Sequence, residues 1–119
     1  MPNSLTASYL EMLAQGQMVT GFEKINVTDA VGGVGITVPN DTTSCLITVE
    51  ADGTEAGLPR VLRYRIDGTD PDAITGHALG DNDVALIQHD MNLGNLKLIG
   101  ITAGKTHIIQ ITYFQGSPC

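Results

Sequence analysis

The sequence predicts an all-β fold, an antiparallel β-sandwich of seven to eight short strands, with a short N-terminal helical or extended arm. Three observations carry this expectation. Apolar and polar residues alternate with period two in one stretch after another from Gly21 onward. Turn signals separate those stretches at intervals of roughly ten residues, supplied by 14 Gly and 5 Pro. No part of the β region has the 3.6-residue period of a crossover helix, so neighbouring strands are expected to run antiparallel. A chain of 119 residues fits a single core. Trp is absent and aromatics make up 4%, so that core has to be built from Val, Ile and Leu.

Residues 1–20 stand apart as an arm, and residues 21–119 form the sandwich domain. Leu5, Tyr9, Met12 and Leu13 lie at i, i+4, i+7 and i+8, which puts them on one face of a helix. Ser4 or Thr6 can cap its start and Gly16 can end it. A helix this short is marginal in water, so it has to pack on its own domain or on a neighbour. A frayed terminus is the plainer alternative. The four apolar residues are the candidate interface.

The first strand is expected over 23–28. Val34, Ile36 and Val38 alternate until Pro39 stops the strand. Gly32 and Gly33 precede that strand rather than a helix, so they bend the chain and do not cradle a phosphate. Residues 44–50 alternate with Cys45, Ile47 and Val49 inward. Residues 52–59 read as a loop. Residues 61–67 form the next strand, with Leu62, Tyr64 and Ile66 inward and Arg63 and Arg65 outward. Residues 84–87 follow the turn at 80–83. Residues 96–101 and 107–114 are the last two strands, joined by a tight turn at Ala103-Gly104-Lys105. Leu98, Ile109, Ile111 and Tyr113 complete the inward set.

Composition narrows the function. Six Lys and Arg against 13 Asp and Glu give a net charge of −7, which repels a phosphate backbone and argues against nucleic acid as a partner. Arg60, Arg63 and Arg65 cluster, but Asp67, Asp70 and Asp72 follow them directly. No apolar run approaches the roughly 20 residues of a membrane span, and the first twenty residues lack the basic start and apolar centre of a signal peptide. The expectation is a protein made in the cytoplasm and exported, if at all, as part of something larger, with no membrane partner.

Chemistry is sparsely signalled. His77, His89 and His107 have no metal-ligand spacing. His77 is expected to fix a loop, and the other two to sit in loops or at strand ends. Cys45 reads as a small core residue. Cys119 is the last residue, and a bridge between the two depends on geometry that sequence does not give. No Ser stands in a strand-to-helix elbow. Asp67, Asp70 and Asp72 invite a calcium reading. The acids lack the EF-hand pattern, and Pro71 holds Asp70 extended. A strand end followed by a rigid turn, its Asp and Thr side chains bonded to nearby amides, is the simpler account. No catalytic residue, metal ligand or cofactor is assigned, and the chain is not expected to be an enzyme.

One set of segments is distinctive as an ordered series. Ile36-Thr37-Val38-Pro39 is followed by Ser44-Cys45-Leu46-Ile47-Thr48-Val49-Glu50, then by Leu62-Arg63-Tyr64-Arg65-Ile66-Asp67-Gly68-Thr69-Asp70-Pro71. Thr75-Gly76-His77-Ala78-Leu79, Leu96-Lys97-Leu98-Ile99 and Ile109-Gln110-Ile111-Thr112-Tyr113-Phe114 complete it. The series resembles small β-sandwich structural proteins of tailed bacteriophages. There, an "xTVP" segment, an "RYRxDGTxPT" strand and turn, a "GhxL" return and a final "xVTYY" strand recur in that order. The resemblance covers roughly residues 34–114. Asp72 stands where the pattern usually has Thr, which puts a hydroxyl bond of that turn in question, and residues 1–30 lie outside it.

The resemblance implies a virion component, with capsid, neck and tail all open as its place. An acidic β domain with an apolar arm suits a capsid cement or decoration protein on the outer surface of the shell. Its partners would be the major capsid protein and its own copies, as a homotrimer first and a dimer second. The Asp-Gly-Thr-Asp-Pro turn also resembles immunoglobulin-like accessory domains of chitinolytic enzymes, which gives the alternative of a carbohydrate-associated binding module. Such modules stack sugars on exposed aromatics, and only Tyr9, Phe22, Tyr64, Tyr113 and Phe114 are available here.

Overall fold

Alternating burial runs along every long strand and sorts the side chains between a core and an outer face. The structure, a computed structural model, describes residues 18–88 and 93–115. It contains eight strands: β1 (Met18–Val27), β2 (Val34–Gly35), β3 (Ser44–Glu50), β4 (Leu62–Arg65), β5 (His77–Leu79), β6 (Val84–Gln88), β7 (Lys97–Gly100) and β8 (His107–Gln115). They form two four-stranded sheets, sheet A in the order β1-β8-β3-β6 and sheet B in the order β2-β7-β4-β5. Every pairing is antiparallel. This is the sandwich that the period-two pattern predicts.

The core lies between the inner faces. Cys45, Ile47, Val49, Leu62, Leu98, Ile109 and Ile111 are buried in it, and Ile36, Val38, Tyr64 and Ile66 pack against it while partly exposed. The expected inward set is therefore the observed one. Val27, Val61, Leu79, Leu93, Leu96 and Tyr113 extend the core. Burial of each such large apolar side chain contributes about 1.5–3 kcal/mol.

Four expectations need correction. β1 begins at Met18, with Met18 opposite Gln115 and Val19 opposite Phe114, so the expected boundary between residues 20 and 21 falls inside a strand. The β-branched run at 34–38 makes a ladder only at Val34 and Gly35, opposite Leu98 and Lys97. Beyond them the chain turns toward sheet A, where the Thr37 amide donates to the Glu23 carboxylate at 3.1 Å. The turn at Ala103-Gly104 exists, but it closes no hairpin, because β7 belongs to sheet B and β8 to sheet A. His77 opens β5 opposite Tyr64 and packs against its ring at a tilt of 42°, with centroids 5.3 Å apart, instead of fixing a loop.

The connections explain these differences. Among the described strands, consecutive ones lie in opposite sheets throughout, except β4 and β5, which pair with each other. β8 is inserted between β1 and β3. In an immunoglobulin domain the last strand lies beside the strand before it; here those two strands face each other across the core.

Candidate functional site

The acidic segment after β4 is tied to the fold by its own donors. Arg65 donates from Nε to Asp67 Oδ1 at 3.1 Å and also pairs through its Nη2 with Asp67 Oδ2. The Thr69 amide donates to the same carboxylate at 3.1 Å. Gly68 sits between them at φ +83, a left-handed conformation that suits glycine. Asp70 pairs with Lys97 Nζ of β7 at 2.6 Å. Asp72 accepts from the Ile74 amide at 2.9 Å, so a carboxylate closes the turn where the resembled pattern places a hydroxyl. Each of the three acids is thus engaged by a donor of the protein itself. The Arg65 guanidinium and the Thr69 amide hold Asp67 below the usual carboxylate range, and the Ile74 amide does the same for Asp72.

Arg63 secures the return of this loop. Its Nε donates to the Ala73 carbonyl at 3.1 Å and its Nη1 to the Gly76 carbonyl at 2.8 Å. Gly76 has φ +132, and a Cβ there would meet the Tyr64 carbonyl oxygen at 2.9 Å, so the loop lies too close to β4 for any side chain. Arg65, Ile66, Asp67, Thr75, Gly76 and His77 line an open cleft of about 370 Å³ beside it.

A second polar cluster ties three loops together at one end of the sandwich. Asp52 caps a 3-10 turn over Gly53–Glu55, accepting from the Thr54 amide at 3.1 Å. Its other oxygen accepts from the Thr106 amide at 3.2 Å. Asp81 accepts from the Ala51 amide at 3.0 Å and from the Gly57 amide at 2.9 Å. Asp83 accepts from the Gly80 amide at 2.6 Å. These bonds lower Asp52 to about 2, chiefly through the Thr54 and Thr106 amides, and lower Asp81 through the Ala51 and Gly57 amides.

His107 lies under this cluster. It is fully buried, and its Nδ1 accepts from the Asp52 amide at 3.0 Å. Nδ1 is therefore unprotonated, and the neutral ring carries its proton on Nε2. Among the described residues, neither Nε2 nor the buried Oε1 of Glu55 has a hydrogen-bond partner. Burial lowers the His107 pKa, against the opposing pull of Glu55, Asp52 and Asp81. The expectation of a loop or strand-end histidine captured its position at the start of β8 and missed its burial. The alternation His107, Ile109, Ile111, Tyr113 was the signal that could have found it.

Cys45 is buried in the core, and desolvation pushes its thiol up to about 12, which leaves it protonated and unreactive at neutral pH. Cys119 lies outside the described residues, as do His89 and the candidate interface residues Leu5, Tyr9, Met12 and Leu13. Among the described residues, no three or more His, Cys, Asp or Glu are gathered to hold a metal, and no helix is long and apolar enough to cross a membrane.

The remaining surface feature is apolar. Met18, Val19 and Phe22 of β1 are exposed at the edge of sheet A, as are Val31 and Ile74 at loop tips. Val31 and Ile74 are the most exposed, at 102% and 84%, and the turns that carry them are held by backbone bonds at Ala30–Gly33 and Asp72–Thr75. Such residues offer contact area and no chemistry. No protein-family model matches the chain, and no curated protein is detectably similar to it.

Proposed function

We propose that the protein is a virion structural protein, a capsid cement or decoration protein that binds the outer surface of the major capsid protein shell and stabilises it. The observation that carries this reading is how the surface is used. The loop carboxylates Asp52, Asp67, Asp70, Asp72, Asp81 and Asp83 are engaged in holding the fold. The large apolar side chains that stand exposed lie on the edge strand β1 (Met18, Val19 and Phe22) and on loops (Val31, Leu58 and Ile74). A rigid acidic domain with apolar contact points suits adhesion to a protein surface better than turnover of a substrate. The ordered resemblance to phage sandwich proteins supports the same reading. Self-association at a symmetry axis of the shell, as a trimer before a dimer, belongs to it.

The alternative, an immunoglobulin-like carbohydrate-binding module, is the weaker reading. The strand order departs from the immunoglobulin pairing, and among the described aromatics only Phe22 is well exposed. The test is to mix the purified protein with shells assembled from the major capsid protein alone and sediment them. Co-pelleting with a raised melting temperature of the shell is expected, since a ligand that binds only the assembled form stabilises it. Protein that stays in the supernatant with shells yet is retained on chitin would overturn the reading.

A further inference from the structure

The outer face of sheet B carries an apolar groove that the core does not account for. Leu98 faces the core, so its neighbour Ile99, opposite Arg63 of β4, faces outward. Ile99 is nonetheless only 6% exposed, and it stands outside the core cluster. Two loops fold over it. In the loop between β1 and β2, the Thr28 carbonyl accepts from the Gly100 amide at 2.8 Å. A Cβ on Gly33 of that loop would lie 2.8 Å from the Leu98 carbonyl oxygen and 3.5 Å from Pro71. In the loop between β4 and β5, Pro71 is buried, and backbone bonds in both directions close the turn from Asp72 to Thr75. The two loops leave a groove of about 280 Å³ between them, lined by Val31, Pro71, Ala73, Ile99 and Ile101. Asp29 and Asp72 also line it, and no Lys or Arg does.

We propose that this groove is the docking site for the partner protein, and that it takes an apolar side chain flanked by Lys or Arg on the partner's surface. The inference rests on the reading above, in which that partner is the capsid shell. Three observations select this occupant. Val31 on one bank and Ile74, next to Ala73 on the other, are the most exposed large apolar residues among those described, so an inserted side chain would cover apolar area that is now wet. Both banks are already held by bonds within the protein, so little ordering has to accompany binding. The Asp29 carboxylate is exposed, and no hydrogen bond or ion pair engages it among the described residues. A rim with a free acid and no cation complements a basic residue beside the inserted one. The same charge disfavours a second copy as occupant. A two-fold contact through the groove would set Asp29 and Asp72 of one copy against the same acids of the other.

The experiment has two arms. In the first, the wild-type chain, a Val31→Ser/Ile74→Ser double variant and an Asp29→Lys variant are co-pelleted with shells of the major capsid protein. The double variant is expected to bind at least about tenfold more weakly. Asp29→Lys is expected to bind more weakly and to be less sensitive to added salt. All three side chains are exposed, so the melting temperatures are expected to agree. Variants that pellet as tightly as the wild type would overturn the proposal and leave the cement reading standing. In the second arm, the methyl signals of Val31, Ile99 and Ile101 are followed by NMR during titration with acetyl-Arg-Leu-Arg-amide and with acetyl-Glu-Leu-Glu-amide. Shifts with the basic peptide alone are expected. No shift, or equal shifts with both peptides, would overturn the proposal. So would movement of these signals with the protein's own concentration, since a second copy would then fill the groove. A wild-type chain that fails to pellet while its groove takes the basic peptide would refute the shell as partner and uphold the docking site.

Discussion

His107 shows how one buried ring makes the fold sensitive to acid. Its Nδ1 accepts from the Asp52 amide, a bond that a protonated ring cannot make. Burial depresses its folded pKa, although Glu55, Asp52 and Asp81 pull the other way. A base whose folded pKa lies below the unfolded value of about 6.5 binds more protons when unfolded. Its stabilising contribution is therefore full above that pH and is lost as pH falls through the folded value. Asp52, Asp67, Asp72 and Asp81 are depressed as well. Their contribution is present above about 3.9 and is lost at lower pH, down to about 2 for Asp52. The melting temperature should thus decline in two steps on acidification, the first beginning near pH 6.5. His107→Gln should remove the first step and leave the second. A variant that kept the slope between pH 7 and pH 5 would assign that step to another group.

At the scale of elements, the turn from Asp67 to Gly76 is a self-contained device. Asp67 is held by Arg65 and the Thr69 amide, Asp70 by Lys97, and Asp72 by the Ile74 amide. A calcium ion would have to displace these donors, so melts in calcium and in chelator should coincide. A rise of several degrees in calcium would show a site that binds only the folded state. The turn itself was legible, because Asp-Gly-Thr and Asp-Pro fix their own geometry locally. The strands were legible for a similar reason, since period-two alternation is written residue by residue. What escaped the sequence was pairing at a distance. Val34 to Val38 alternates well, yet its ladder ends at Gly35, because beyond it the chain leaves β7 and the Thr37 amide bonds to Glu23 of β1. The Ala103-Gly104 turn looks like a hairpin turn, and only the placement of β7 and β8 in opposite sheets shows otherwise. Alternation places Arg63 outward and says nothing of its carbonyl partners, which lie on a loop ten residues and more away.

Over the whole molecule, successive strands alternate between the sheets, with β4–β5 the one pairing of sequence neighbours among those described. β1 pairs with β8, so that Val27 lies opposite His107 and Met18 opposite Gln115. Closing such long loops costs entropy before any contact repays it. Stopped-flow refolding should therefore fall in the millisecond-to-second range typical of nonlocal β folds. Refolding within microseconds would mean that local contacts dominate the barrier. The net charge of −7 helps keep partly folded chains apart during that interval.

The insertion of β8 between β1 and β3 has a consequence for synthesis. Of these eight strands it is the last to leave the ribosome, yet it is an interior strand of sheet A. Until it arrives, β1 has no partner in its sheet and β3 has one on a single side, beside β6. A nascent chain halted before His107 would present two bare strand edges and half of an open core, the features by which proteases and holdase chaperones distinguish unfinished protein. Completion of sheet A therefore waits on the synthesis of β8.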